Sequence, residues 1–192
     1  MSEPVKSVLL VGVGGQGTIM ASDILSAVMI RAGFDVKKSE VHGMAQRGGC
    51  VSSHVRFGQK VYSPIVGKGD VSVLVSFEKL ETLRYLEYLK ADGKIIINNE
   101  EIYPPSVNLG EADYPDDAID FIKKHFKDIK VVNATDIALR SGDKRMANTV
   151  ILGVLSSYLD IEEEIWEDVL RESFPPKILE GNMNAFREGR GA

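Results

Sequence analysis

The sequence predicts an α/β fold, a three-layer Rossmann-like sandwich with a mostly parallel, mixed sheet and a helical C-terminal part. Apolar runs alternate with helical patterns along most of the 192 residues, which is typical of parallel strands joined by crossover helices. A predicted hairpin at residues 50–63 makes the sheet mixed. From about residue 135 the pattern is helical only. We expect a single domain, residues 1–192, whose helical portion spans about 135–192.

Six short segments carry the strand predictions. Most are continuous apolar runs, as expected for buried parallel strands, whereas residues 34–41 are polar and indicate an edge strand or a short strand. Gly58-Gln59-Lys60 is expected to turn the third segment into residues 61–63 as a hairpin. The predicted strands are residues 7–12, 34–41, 50–57, 70–77, 94–99 and 129–133.

The helix predictions rest on apolar spacing and on start and stop residues. Gly33 is expected to end the first helix, and Asp92-Gly93 to turn the chain into the next strand. Asp160 and Glu163 form a capping-box pattern, and residues 146–155 are apolar nearly all round, which predicts burial on both sides. The predicted helices cover residues 18–32, 78–89, 115–126, 135–139, 144–158, a segment from 160 onward, and 178–187.

Composition excludes several classes of function. The net charge of −5 offers no general basic surface for nucleic acid, and no apolar run reaches the roughly 18 residues of a membrane span. The first residues show no signal-peptide pattern, so the cytoplasm is the expected location. Cys50 is the only cysteine, and one thiol makes neither an internal disulfide nor an iron–sulfur cluster; it is expected to be a small core residue, and no metal site is predicted.

A glycine turn follows the first predicted strand. Gly12, Gly14 and Gly17 match G-x-G-x-x-G between a strand and a helix, where glycine allows a tight turn and a close backbone approach to phosphate. The acidic residue that a dinucleotide site needs about 20 residues later is matched by Glu40, 23 residues past Gly17 (40 − 17). A nucleotide site, a structural turn, and contact with a partner or another ligand all stay open.

A second glycine-rich segment spans residues 42–49, His-Gly-Met-Ala-Gln-Arg-Gly-Gly. Arg47 in such a loop could present its guanidinium to a carboxylate or a phosphate, and His42 could titrate near neutral pH. Because this loop follows the second strand, we expect it at the same carboxyl edge of the sheet as the glycine turn. A surface loop with a solvated arginine is the equal alternative.

No catalytic group is predicted within this chain. His42, His54 and His125 are the only histidines, and none has an obvious partner in the sequence. No nucleophile elbow, zinc-protease motif or phosphate-loop lysine is present. The sequence therefore predicts neither a nucleophile nor an acid–base pair.

Together, the two glycine-rich segments resemble a known family. Residues 12–17, Gly-Val-Gly-Gly-Gln-Gly, resemble the G-x-G-G-Q-G signature of the gamma-type subunit of 2-oxoacid:ferredoxin oxidoreductases. Residues 40–49 resemble that family's second signature, above all in the indolepyruvate ferredoxin oxidoreductase beta subunit. The segments 76–81, 84–86, 93–98, 148–153 and 177–189 also fit, so the resemblance covers nearly the whole chain.

The resemblance implies coenzyme A-dependent oxidative decarboxylation of a 2-oxoacid, with electrons passed to ferredoxin. Thiamine diphosphate and iron–sulfur clusters would sit in partner subunits, with no cofactor held tightly by this chain, which would be inactive alone. Aryl pyruvates fit best, while pyruvate, 2-oxoglutarate and branched-chain oxoacids stay open. An NAD(P)-dependent dehydrogenase and a non-catalytic nucleotide-binding module are the alternatives. The predicted cofactor-binding residues are Gly12, Gly14, Gly15, Gln16, Gly17, His42, Gln46, Arg47, Gly48 and Gly49.

Overall fold

The computed structural model describes residues 5–42 and 49–192. Six strands form one sheet: β1 Lys6–Val13, β2 Asp35–His42, β3 Cys50–Gly58, β4 Val71–Ser76, β5 Leu89–Asn98 and β6 Ile129–Val132. The α-helices of this part are α1 Thr18–Arg31, α2 Lys79–Tyr85, α3 Pro105–Asn108, α4 Ala118–His125, α5 Ala134–Ser141, α6 Ala147–Ser156, α7 Glu163–Ser173 and α8 Pro176–Arg190. In the described ranges no helix is long and apolar enough to cross a membrane.

The sheet order is β2-β3-β1-β4-β5-β6. Strands β1, β4, β5 and β6 pair in parallel, and β3 pairs antiparallel with both β1 and β2. The predicted mostly parallel, mixed sheet is therefore confirmed, with β2 at an edge as expected. The predicted hairpin into residues 61–63 is wrong, because both edges of β3 are already occupied by β1 and β2.

Helices cover the two faces of this sheet and form three layers, as predicted. Val8 and Leu10 of β1 pack in one core with residues of α1, α6, α7 and α8. Leu9 and Val11 point the other way, into a core that includes Ile122 of α4. Burying an aliphatic side chain completely stabilises the fold by about 2 kcal/mol, so this alternation fixes which face each helix must cover.

The C-terminal helices pack unusually closely. All residues of α6 from Asn148 to Ser156 are buried, which confirms the predicted burial on both sides. A Cβ added at Gly153 would lie 2.1 Å from the Phe186 carbonyl oxygen, and one at Gly189 would lie 2.1 Å from that of Val150. The two glycines thus let the backbones of α6 and α8 touch.

Two predicted boundaries are wrong because β5 begins at Leu89, earlier than the predicted start at residue 94. The predicted helix 78–89 ends as a 3₁₀ turn at Leu86–Tyr88, and β5 begins at once with Leu89. The predicted turn Asp92-Gly93 lies inside β5, at a register irregularity opposite β4. A Cβ at Gly93 would lie 2.7 Å from the Leu89 side chain and 3.0 Å from the Val71 carbonyl oxygen. Glycine marks a close backbone approach in an irregular strand here, not a turn.

The starts of the later helices also differ from the predictions. Asp160 does not cap α7, whose N-terminal neighbour is Glu162 with no side-chain capping bond. The predicted helix 144–158 opens instead with a 3₁₀ turn, at whose start the Asp143 carboxylate accepts a hydrogen bond from the Arg145 N–H at 2.8 Å. Helix α8 begins earlier than predicted, at Pro176, since proline is favoured in a first turn.

Candidate functional site

The glycine turn and the ends of the second glycine-rich segment meet at one edge of the sheet. β1 and β2 both run antiparallel to β3, so their carboxyl ends lie on the same side. The Gly14 N–H donates to the Gly49 carbonyl oxygen at 2.9 Å, and His42 pairs with Val51 at the end of β2. Gln46, Arg47 and Gly48 lie outside the described residues, as does the side chain of His42.

Within the glycine turn, Gly12 and Gly17 pack against other side chains of the protein, whereas Gly15 has free space beside it. Gly15 and Gly17 have φ of 104° and 80°, which favour glycine. A Cβ at Gly17 would lie 2.5 Å from Asn148 Nδ2, and one at Gly12 would lie 2.8 Å from Gln16 Oε1. At Gly15 a Cβ would meet nothing within 4 Å. Gly15 is thus the turn residue that a ligand could approach from solvent.

Gln16 joins the turn to the neighbouring strand. Its Oε1 accepts from the Val13 N–H at 2.8 Å, and its Nε2 donates to the Phe77 carbonyl oxygen at 2.8 Å. Asn98 continues the line: its Nδ2 donates to the same carbonyl at 3.3 Å and its Oδ1 accepts from the Ala134 N–H at 3.0 Å. The two amides tie the ends of β1, β4 and β5 to α5. Both polar atoms of the Gln16 side chain are hydrogen-bonded to the backbone. The main role of Gln16 is therefore to hold the ends of β1 and β4 together.

A cleft of about 360 Å³ lies beside this line of amides. After β1 the chain enters α1 on one face, and after β4 it enters α2 on the other, so the cleft lies at a topological switch point, where open α/β sheets bind ligands. Lys144 and Arg145 contribute two cations to its wall, and Glu100, which accepts from the Thr135 hydroxyl, contributes a carboxylate. Sequence reasoning did not anticipate these residues, since nothing in the sequence places residues 144–145 near the glycine turn.

A second, more apolar pocket of about 250 Å³ adjoins the cleft. It shares Met20, Arg145 and Asn148 with the cleft. Its other walls include Phe174 and Ile178. The combined space therefore offers a charged part near Gly15 and an apolar part between α1 and the start of α8.

The position of Glu40 disfavours a dinucleotide site. Glu40 pairs with Ser53 of β3, and β3 lies between β2 and β1. The two parallel strands are therefore two sheet spacings apart, about 10 Å, whereas the dinucleotide motif uses adjacent strands. The Glu40 carboxylate also pairs with Lys38.

Three titratable side chains meet on the α2 side of the same edge. The Cys50 Sγ lies 3.1 Å from the Tyr85 hydroxyl oxygen, and the Glu81 carboxyl also interacts with the thiol. Burial, followed by the hydrogen bond to Glu81, raises the pKa of Cys50 to about 11. Burial likewise raises the pKa of Glu81, whose Oε2 has no hydrogen-bond partner within the described part. A thiol held neutral in this way is a poor nucleophile.

The Glu78 carboxylate holds in place the wall of the cleft that contains Ile102. It is buried at the start of α2, where its Oε2 accepts from the Glu81 N–H at 2.9 Å. Its Oε1 accepts from the Ile102 N–H at 3.2 Å and from the Tyr114 hydroxyl. Burial and the bond to Glu78 raise the pKa of Tyr114. Because Ile102 lines the cleft, one carboxylate fixes that wall.

The described histidines do not assemble an acid–base site. Buried His54 accepts from the Val66 N–H at 3.3 Å through Nδ1, and burial lowers its pKa. His125 lies on α4, where its ring contacts Phe121. Among the residues that the structure describes, no three His, Cys, Asp or Glu side chains are grouped to hold a metal ion.

Comparison with known proteins gives concordant findings. The family model described as pyruvate ferredoxin/flavodoxin oxidoreductase matches residues 7–192. The chain is 38% identical to indolepyruvate oxidoreductase subunit IorB of Thermococcus kodakarensis, over 95% of this chain and 93% of that protein. The crystal structure of a pyruvate oxidoreductase subunit from Thermotoga maritima superposes with a TM-score of 0.76 at 24% identity and covers 98% and 97% of the two chains.

A longer chain contains the same fold. It belongs to 2-oxoglutarate:ferredoxin oxidoreductase from Magnetococcus marinus, solved with 2-oxoglutarate, coenzyme A and succinyl-CoA bound. The superposition has a TM-score of 0.75 at 21% identity and covers 98% of this chain but 31% of the other. At this identity the likeness extends to the fold.

Proposed function

The chain belongs to the pyruvate ferredoxin/flavodoxin oxidoreductase family, and from that premise we propose that it is the cluster-free subunit of an indolepyruvate-type 2-oxoacid:ferredoxin oxidoreductase. The observation that carries the proposal is the 38% identity to an indolepyruvate oxidoreductase subunit along almost the full length of both chains. We place the complex in the cytoplasm.

The proposed complex converts an aryl pyruvate and coenzyme A to an acyl-CoA and carbon dioxide, and ferredoxin accepts the electrons. Thiamine diphosphate supplies the decarboxylation chemistry and iron–sulfur clusters carry the electrons, both in partner subunits. The composition supports this division, because one cysteine in 192 residues cannot ligate a cluster. This chain contributes binding surface and positioning.

We assign coenzyme A to the cleft beside the glycine turn. The residues there fit its chemistry: Lys144 would pair with phosphate charge, and Arg145 would join it by exchanging its ion pair with Asp143, which lies 2.6 Å away. The exposed backbone at Gly15 leaves room for close approach. The apolar pocket against Met20 and Phe174 would take a less polar portion of the molecule. The Magnetococcus marinus enzyme was also solved with coenzyme A bound, and this chain matches 31% of the length of one of its chains.

Reconstitution tests the proposed function. The purified chain is mixed anaerobically with the thiamine- and cluster-bearing subunit, and indolepyruvate- and coenzyme A-dependent reduction of ferredoxin is followed. We expect activity only in the mixture, and no tight NADH binding by the isolated chain. Tight NADH binding, with no activity on mixing, would contradict the proposal and favour the dehydrogenase alternative.

Arg47→Ala tests the predicted role of the second glycine-rich segment. In the assembled complex we expect this variant to lower kcat/KM for coenzyme A by roughly tenfold or more, because a charge-assisted contact is lost. Arg140→Ala is the matched control, since Arg140 is an exposed arginine on α5 that pairs with Glu188. Intact assembly with unchanged turnover and unchanged coenzyme A dependence would show that Arg47 does not face the reaction.

A further inference from the structure

A pocket of about 300 Å³ opens at the amino ends of the parallel strands, on the sheet face that α1 covers. Lys6, the first residue of β1, lines this pocket, whereas the glycine turn follows Val13 at the other end of the same strand. The two ends of β1 are roughly 23 Å apart. This amino-edge pocket shares no lining residue with the cleft beside the glycine turn, so it is a separate site.

The bottom of the amino-edge pocket is apolar. Val8, Phe57, Val73 and Leu159 line it, and all four are buried members of the core on the α1 side. The half-buried ring of Tyr158 lies beside them. A volume of about 300 Å³ is at the small end of the range for ligand pockets. The space therefore suits a ligand with one aromatic ring and a short side chain.

An irregular stretch of β5 forms one wall of the pocket. Where β4 pairs with β5, Ser72 alone lies opposite residues 90–93. Extra residues of this kind occur often beside binding sites, because they bend the strand and redirect its side chains. Lys90, Asp92 and Lys94 all line the pocket from this stretch.

Two hydrogen-bond donors lie next to each other in this wall. The Ser72 hydroxyl oxygen accepts from the Ser7 N–H and from the Lys90 ammonium, each at 3.4 Å. The hydroxyl acts as acceptor in both bonds, which leaves its own hydrogen for a ligand, and the ammonium keeps two further hydrogens. Because Lys90 Nζ and Ser72 Oγ are so close, one carboxylate group can accept from both.

The charges around the pocket leave one positive charge in excess. Lys94 lies over the Tyr158 ring, 4.8 Å from its centroid, and 3.7 Å from a carboxylate oxygen of Asp128. Lys6 and Lys90 form no ion pair within residues 5–42 and 49–192, and the exposed Asp92 also lines the pocket. Three lysines thus stand against two carboxylates, which suits a monoanion better than a phosphate dianion.

We propose that the amino-edge pocket binds a small aryl carboxylate, a monoanion that carries one aromatic ring. Lys90 and the Ser72 hydroxyl bind the carboxylate, and Lys6 adds its charge. The ring packs against Phe57 and Leu159. The inference goes beyond the proposed function, because it rests on the lining of a pocket at the opposite end of β1 from the cleft.

Titration of the isolated full-length chain with 3-phenylpropanoate tests the proposal. This probe has the proposed chemistry and is not a 2-oxoacid, so the result does not depend on the activity of the complex. We expect saturable binding with a Kd on the order of 1 mM or below, with amide chemical-shift changes centred on Ser72, Lys90 and Gly93. Changes centred on Gly15 and Gly17 would place the probe in the cleft and overturn the proposal.

The double variant Lys6→Ala, Lys90→Ala should raise the Kd for 3-phenylpropanoate at least about tenfold, because two charged contacts are lost. Lys68→Ala is the matched control, since Lys68 pairs with Glu87 and does not line the pocket, and it should bind as the parent chain does. Equal binding by the double variant and the parent chain would overturn the site.

Two further ligands separate the ring from the charge. Acetate keeps the carboxylate and lacks the ring, and we expect it to bind at least about tenfold more weakly than 3-phenylpropanoate. Inorganic phosphate should displace the probe poorly. Acetate or phosphate binding as tightly as the probe would show a site for charge alone and overturn the assignment of an aryl ligand. Each of these outcomes leaves the reconstitution test of the proposed function unaffected.

Discussion

Gly153→Ala is expected to leave little folded protein. The new Cβ would lie 2.1 Å from the Phe186 carbonyl oxygen and 2.8 Å from the Arg190 backbone nitrogen. Both neighbours are backbone atoms of α8, so no side-chain rotation relieves the overlap, and α6 and α8 must separate along their whole contact. Overpacking alone costs about 1–3 kcal/mol, and parting two buried helices adds to it, against a typical total stability of roughly 5–15 kcal/mol.

Urea unfolding followed by circular dichroism measures this effect. Gly191→Ala is the matched control, because it lies at the end of the same helix and its nearest neighbour would be 3.7 Å from the added Cβ. We expect the control to unfold at the parent midpoint and Gly153→Ala to unfold at a much lower urea concentration or to be recovered only as aggregate. A parent-like midpoint for Gly153→Ala would show that the two helices are not in backbone contact.

The contact between α6 and α8 also bears on the proposed ligand site. Asn182 of α8 accepts from the Thr149 hydroxyl of α6 at 2.7 Å, and Asn182 lines the apolar pocket. Asn148, next to Thr149, lies against Gly17 of the glycine turn. The packing of the C-terminal helices therefore positions the turn, so that stability and site geometry depend on the same residues.

The sequence was informative where the signal is local. The apolar runs of β1 and β4 and the buried character of α6 follow directly from the order of side chains along the chain. The insertion of β3 between β1 and β2 does not, because strand order depends on contacts between distant segments. That insertion is why the glycine turn matches a dinucleotide motif while Glu40 lies one strand too far away.

The candidate site was predictable only in part for the same reason. Gly15 and Gly17 belong to a recognisable turn, and their positive φ values bear out the need for glycine. The cations of the cleft, Lys144 and Arg145, come from a 3₁₀ turn whose approach to Gly15 depends on how α6 packs. Nothing in the sequence predicted the contact between Cys50 and Tyr85, because the two residues lie on different elements far apart in the chain.

Glu78→Ala is expected to be the second most damaging change. Glu78 is 1% exposed, and its carboxylate is the acceptor for the N–H groups of Glu81 and Ile102 and for the Tyr114 hydroxyl. Removing it leaves three donors without their acceptor and opens a cavity, which we expect to destabilise the fold by about 3 kcal/mol or more. The loss of stability should be largest around Ile102, because its N–H would no longer be hydrogen-bonded to the start of α2.

Two further variants distinguish the effect of losing the hydrogen-bond network around Glu78 from the effect of losing its negative charge alone. Tyr114→Phe removes one donor and should cost about 1 kcal/mol, and Glu78→Gln, which keeps one acceptor oxygen, should fall between the two. Glu164→Ala on α7 is the control, since Glu164 is exposed. Hydrogen exchange should show the Ile102 amide losing protection in Glu78→Ala before the core strands do. Equal stability of Glu78→Ala and the control would mean that this carboxylate does not hold the wall, and that the cleft is shaped by the apolar packing around Ile102 alone.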